Sequence, residues 1–168
     1  QPLEWLTIRP SLSGAMQTSD DRQHSVTSMY SMLPWDKPYD DEGKPVPHKS
    51  PGWVNSNSTN YVYDLQWNHG DTRNYEFMSN LDFDIRIAPW LTFSSVNNYK
   101  YLHRAQHGYQ DPRSNAGQSV EGRITEYHLE VARRYTNQKL LTNNSWGSHN
   151  LNGLVAYEFN DYWHKTLD

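Results

Sequence analysis

The stretch Asn74-Tyr75-Glu76-Phe77-Met78-Ser79-Asn80-Leu81-Asp82-Phe83-Asp84-Ile85-Arg86-Ile87 decides the fold class. Its odd positions are apolar apart from Ser79, and its even positions are polar or charged apart from Met78. A period of two belongs to a β-strand with different surroundings on its two sides, because successive side chains of an extended chain point to opposite faces. At about 14 residues this strand is far longer than the roughly 5 to 6 of an average soluble one.

Outward from it, Ala88-Pro89-Trp90 interrupts the pattern, since proline cannot donate to a ladder, and alternation resumes through Leu91, Phe93, Ser95, Asn97, Tyr99 and Tyr101. A glycine-rich polar segment follows. From Ile124 to Tyr135 the alternation returns, with Tyr127, Leu129, Val131 and Tyr135 opposite Glu126, His128, Glu130 and Arg134. Leu140 and Leu141 are neighbours and cannot share a face, so a bulge or twist is expected there. Ser145-Trp146-Gly147 then turns the chain into Leu151, Gly153, Val155, Tyr157 and Phe159. Upstream, Glu4-Trp5-Leu6-Thr7-Ile8 echoes Pro89-Trp90-Leu91-Thr92-Phe93 and opens another strand. Val26, Met29, Tyr30 and Leu33 have helical spacing, and Pro34 to Thr72, with five prolines, reads as an irregular excursion.

The expected architecture is all-β and antiparallel, with strands at about 4–17, 73–87, 91–103, 124–143 and 150–161 joined by long loops at 18–72 and 106–122. The long loop holds one short helix. If the strands alternate in direction, both long loops fall on one side and both tight turns on the other.

Composition agrees with a strand-built wall more than with a packed globule. The 168 residues are 35% hydrophobic with a mean hydropathy of -0.96, yet 14% are aromatic, including 7 Trp and 12 Tyr. Disordered chains are poor in aromatics, so disorder is not expected. A net charge of -4 gives no footprint for nucleic acid, and the absence of cysteine removes disulfides, thiol chemistry and cysteine-bound metals. No run reaches the ~20 apolar residues of a membrane helix, but that test does not touch barrels, whose strands alternate. Outer-membrane barrels combine short periplasmic turns, long external loops, an apolar outside, a wet lumen and aromatic girdles. In that scheme Trp5, Trp90 and Trp146 mark the membrane interface beside the tight turns, and Tyr99 and Tyr101 the other one. The charged residues Glu76, Asp82, Asp84, Arg86, Glu126, Glu130 and Arg134 would face the lumen.

Five segments in order sharpen this: Glu4-Trp5-Leu6-Thr7-Ile8-Arg9-Pro10; Met32-Leu33-Pro34-Trp35-Asp36 with Tyr39-Asp40-Asp41-Glu42-Gly43; Asn80-Leu81-Asp82-Phe83-Asp84-Ile85 before Trp90-Leu91; Leu141-Thr142-Asn143-Asn144; and Asn150-Leu151-Asn152-Gly153-Leu154-Val155-Ala156-Tyr157-Glu158. Together they resemble the SusC/RagA family of TonB-dependent outer-membrane transporters. The resemblance implies a 22-stranded barrel around a plug, importing glycans, oligosaccharides or peptides with energy from TonB under a SusD-like surface lipoprotein. Such a transporter is several times longer, so the chain is expected to be part of one transmembrane barrel, with the plug and the remaining strands outside it.

For binding, the aromatics of the long loop, Trp35, Tyr39, Trp53, Tyr61, Tyr63 and Trp67, would contact substrate or partner, or else pack the loop on itself. Asp36, Asp40, Asp41 and Glu42 lack the spacing of a calcium loop and read as a solvated acidic turn. His103 and His107, four apart, suit a metal only on a helix, and they fall at a strand end. No nucleophile elbow, phosphate loop or zinc-hydrolase helix is present, so neither enzymatic activity nor a metal or other cofactor is expected. A soluble carbohydrate-binding β-sandwich and a complete eight-stranded outer-membrane barrel are the alternatives.

Overall fold

The computed structural model describes residues 3–47, 50–55 and 57–168. Five long strands, β1 (Leu6–Asp20), β2 (His69–Ala88), β3 (Leu91–Gln110), β4 (Arg123–Trp146) and β5 (His149–Leu167), form one antiparallel sheet in the order β1-β2-β3-β4-β5. Two short helices, α1 (Val26–Tyr30) and α2 (Tyr61–Asp64), lie in the connection from β1 to β2, and a 3-10 turn (Gln118–Val120) lies in that from β3 to β4. The sheet is open, with β1 and β5 as its edges. Among the described residues there is neither a second sheet, as a sandwich needs, nor closure into a small barrel.

The strands outrun the expected bounds. β2 begins at His69 rather than 73, β3 continues to Gln110 rather than 103, and β4 and β5 reach Trp146 and Leu167. β1 starts two residues late, at Leu6, and runs three past 17, to Asp20. Apolar alternation ends where these strands turn polar, but ladder pairing does not, because polar cross-strand pairs such as His107 with Glu126 hold them together. The helix expected from the spacing of Val26, Met29, Tyr30 and Leu33 is α1, capped by Ser25, whose side chain accepts the Ser28 N–H. Helix α2 was not foreseen. Asn60 caps it in the same way, accepting from the Val62 N–H.

Side-chain contacts between neighbouring strands fix which residues share a face. Asn98 reaches Asn80, Arg104 reaches Asn74, and the rings of Phe83 and Phe93 meet, so odd residues of β2 share a face with odd residues of β3. Thr136 donates to Asn97, and Arg134 sits 3.9 Å from Asp161, so that same face carries even residues of β4 and odd residues of β5. On β1 it carries the even residues, since Arg9 pairs with Asp84 on the other side.

This corrects the expected lumen set. Glu76, Asp82, Asp84 and Arg86 share one face, but Glu126, Glu130 and Arg134 lie on the opposite one, with the apolar residues of β2. Tyr127, Leu129, Val131 and Tyr135 go with the charges of β2. Parity within one strand says only which residues alternate, and the register with β3 decides which side they take.

The chain divides into two compact units, residues 1–17, 74–104 and 129–166, and residues 18–73, 105–128 and 167–168. Neither has a conventional apolar core. Trp53 and Ala132 are the buried apolar residues among those described, whereas Asp36, Asn60, Asp64, Asn68, Ser95, Asp111 and Ser114 are buried and polar.

Candidate functional site

In the strand unit, the face with Phe83 and Phe93 is charge-free over a broad band. It carries Ile8, Leu12 and Met16 of β1; Tyr75, Phe77, Leu81, Phe83, Ile85 and Ile87 of β2; and Leu91, Phe93, Tyr99 and Tyr101 of β3. β4 adds Thr136, Gln138, Leu140 and Thr142, and β5 adds Leu151, Val155, Tyr157 and Phe159. The first charges on this face are Arg134 and Asp161, which pair with each other opposite Tyr99. At the same strand levels the other face holds Arg9, Asp82, Asp84, Arg86, Lys139 and Glu158, with an Arg9 to Asp84 ion pair at 2.8 Å. Much of the apolar band is open: Leu12 is 72% and Val155 71% exposed.

Tryptophans stand beside the tight turns on both faces, not on the apolar one alone. Trp5 and Trp90 pair with Arg86 and Asn143 and so share the charged face, where Trp5 lines a cleft with Asp84 and Thr92. Trp146, an even residue of β4, is on the apolar face. The Trp5 carbonyl accepts the Arg86 N–H and the Trp90 carbonyl the Asn143 N–H, so these two and Trp146 follow one another across the sheet beside the tight turns. All three are about half exposed, as is Tyr99 to a smaller degree. Tyr101 is partly covered. Leu140 and Leu141 lie on opposite faces of an unbroken β4, without the expected bulge.

The second unit is organised by polar side chains that satisfy backbone groups. Asn60, fully buried, donates through Nδ2 to the carbonyls of Pro38 and Val46. Asp64 accepts the Asn115 N–H, and Asn68 the Asp111 N–H. The spacing of Asn60, Asp64 and Asn68 puts one polar residue every four along α2 and the turn after it, which ties 60–68 to 111–117. Asp111 chelates Arg113 through both carboxylate oxygens, and the Arg113 guanidinium covers the Trp67 ring at 3.8 Å. This side-chain bond, reinforced by the Arg113 N–H, outweighs burial and holds the Asp111 carboxyl far below the usual carboxylate range. Burial pushes the Asp36 carboxyl up, but N–H donors from Leu33, Val54 and Asn55 prevail and keep it below its ordinary value.

The six aromatics expected to bind do not form one surface. Trp53 is buried and donates to the Asn55 and Ser58 carbonyls. Tyr61 packs on His24, and Tyr63 meets Trp67 edge-on. These four hold the loop together, and Trp35 and Tyr39 are the two that face solvent, at 63% and 47%. Tyr30, 84% exposed, joins them and was missed, because its place in the α1 spacing suggested packing. The acidic turn is closed by its own backbone: Asp40 Oδ1 accepts from the Glu42 and Lys44 N–H groups, and Glu42 pairs with Lys44. His103 stacks on Tyr75, while His107 bonds Glu126.

A cleft of ≈ 600 Å³ opens in this unit, lined by Asp21, Gln106, Gln110, Glu126 and Tyr127 among others. Amide, carboxylate and phenol groups of this kind bind hydroxyl-rich or peptide ligands through hydrogen bonds. No protein-family model matches the chain, and a comparison with curated proteins gives no similar relative.

Proposed function

We propose that this chain is a run of wall strands and external loops of an outer-membrane transport barrel of the SusC/RagA type. One observation carries the reading: from the tight turns to the Tyr99 level every charge lies on one face of the sheet, and the other face is apolar and open. An apolar sheet face must be covered by another layer or by lipid. A charge facing lipid near the midplane costs about 2 to 4 kcal/mol, so the segregation is what a membrane wall requires. Glu130 and Arg134 fit the scheme although they share the apolar face, because Arg134 lies at the Tyr99 level and Glu130 beyond it, in the headgroup zone.

The wet face, with Arg9, Asp82, Asp84 and Arg86, is then the lumen side. The loop unit, ordered by its polar ties and presenting Tyr30, Trp35 and Tyr39, is the part that meets a surface lipoprotein, and its cleft meets a glycan or peptide. No catalytic group has a role in this reading.

Fractionation of cells producing the full-length protein tests it. The protein is expected in the outer membrane, extractable only with detergent, and uptake of labelled oligosaccharide or peptide is expected to stop when the proton-motive force is collapsed. Recovery in the detergent-free soluble fraction overturns the membrane assignment, and uptake indifferent to the proton-motive force overturns the transport one.

A further inference from the structure

The cleft of ≈ 600 Å³ in the loop unit has a floor that the fold itself does not require. Gln106, Gly108 and Gln110 are even residues of β3 and share one face with Thr125 and Tyr127, odd residues of β4. Gly108 has ordinary extended backbone, and a Cβ there would meet nothing nearer than the Thr125 Cβ at 3.7 Å. Alanine would fit. Glycine weakens the interior of a strand, and one that neither backbone nor packing demands marks a place where something else comes close to the main chain. Gly70 lies beside it on β2, in the register that His69 and Tyr109 share, and differs: a Cβ there would stand 2.9 Å from the His107 carbonyl oxygen.

Asp21 stands at one side of this floor. Its N–H donates to the Gly70 carbonyl, which puts it two strand spacings, roughly 10 Å, from Gly108. Thr72 Oγ1 lies 2.8 Å from both carboxylate oxygens, and Gln106 donates to one of them at 3.2 Å. These neutral donors fix the carboxylate without cancelling its charge, and among the described residues Asp21 has no ion pair. The other carboxylates lining the cleft are Glu126, which His107 engages, and Asp168, against the one guanidinium of Arg22. The balance is negative.

We propose that this cleft is a subsite for a peptide with a cationic side chain, the cation held by Asp21 and the peptide main chain lying over Gly108. This rests on the reading above that the cleft meets a glycan or peptide, and chooses between them. A four-carbon lysine stem and one charge-assisted hydrogen bond of about 2.8 Å span the distance from Gly108 to Asp21. Gln106 and Gln110 stand about 13 Å apart on one side of β3, which is two repeats of an extended chain. Gln106 Oε1 and the Gln110 amide can therefore bond main-chain groups of a peptide running along the strand. Tyr127, also lining the cleft, adds a ring of the kind that attracts cations. A neutral sugar supplies hydroxyl donors but no charge to offset the carboxylate.

Three probes test this by titration calorimetry on the full-length protein in detergent: a capped alanine pentapeptide with lysine at its centre, the same peptide with that lysine Nε-acetylated, and maltohexaose. The lysine peptide is expected to bind about 10- to 100-fold tighter than the acetylated one, and Asp21→Asn to erase that preference. Gly108→Val, whose branched side chain suits a strand and leaves Asp21 untouched, is expected to weaken both peptides alike without lowering the melting temperature. Equal affinity for the two peptides, or a preference that survives Asp21→Asn, overturns the cationic subsite while the cleft remains a binding site. A Gly108→Val protein that binds both peptides as the unaltered protein does overturns the placement over Gly108. Binding of maltohexaose alone overturns the peptide assignment and leaves the glycan reading standing. Binding of none of the three overturns both.

Discussion

The Thr136 hydroxyl donates to the Asn97 side-chain carbonyl at 2.7 Å across β3 and β4, and this bond decides which side of β4 faces which way. Because Asn97 lies on the side of Phe93, the even residues of β4 do too, and the tyrosines and aliphatics of its odd positions go to the charged side. A slip of one residue would exchange the two sets.

Disulfide trapping tests that register. The Trp90 carbonyl accepts the Asn143 N–H, so even positions of β3 are the hydrogen-bonded pairs with β4, and Asn97 with Thr136 is a closer, non-hydrogen-bonded pair. Asn97→Cys with Thr136→Cys is expected to oxidise readily to an intrachain disulfide, whereas Asn97→Cys with Tyr135→Cys or Asn137→Cys is not. Peptide mapping under non-reducing conditions gives the answer, and a preferred link to position 135 or 137 would reverse the face assignment.

Charge placed on alternate residues of β1 separates the two faces energetically. For the membrane wall proposed above, Leu12→Arg is expected to cost about 2 to 4 kcal/mol on insertion, and Ser11→Arg close to nothing, because its side chain joins Arg9 on the charged side. The amount of folded protein in the outer membrane, judged by resistance to heating in detergent, reads the difference.

The loop unit is expected to depend on Asn60 more than on any of its aromatics. Asn60→Ala leaves the Pro38 and Val46 carbonyls and the Val62 N–H without their partners, a loss of about 2 to 4 kcal/mol. Gly117→Ala attacks the same unit by volume, since a Cβ there would run into the Asp111 carbonyl oxygen. Hydrogen exchange is expected to rise through 33–68 for the first variant and 111–122 for the second, with the 74–104 amides unchanged.

Acid is expected to loosen the same unit through Asp36. Its folded carboxyl titrates below the ordinary value of 3.8, so the stability it supplies is complete above that value and is lost as pH falls through the folded one. Trp53 fluorescence is therefore expected to hold steady from pH 8 to about 5 and to change only below about pH 4. Asp36→Asn, whose amide offers one acceptor oxygen in place of two, is expected to weaken the unit at neutral pH and to abolish this acid step. A midpoint unaltered by that substitution would assign the step to another carboxylate.

Sequence alone determined that the chain is β, where its tight turns lie and that α1 exists. These follow from periodicity, proline and glycine, which act between near neighbours. It did not determine the orientation of β4, whose two parities are both partly apolar, nor that Trp53, Tyr61, Tyr63 and Trp67 pack inward while Tyr30 faces out. Nor did it mark Asn60, Asp64 and Asn68, because a buried amide or carboxylate among loop residues looks like any polar loop residue until the carbonyls and N–H groups it satisfies are in place. Those outcomes depend on contacts between segments tens of residues apart. Only the tertiary structure decided them, since register and burial are properties of a pair of segments and not of either one.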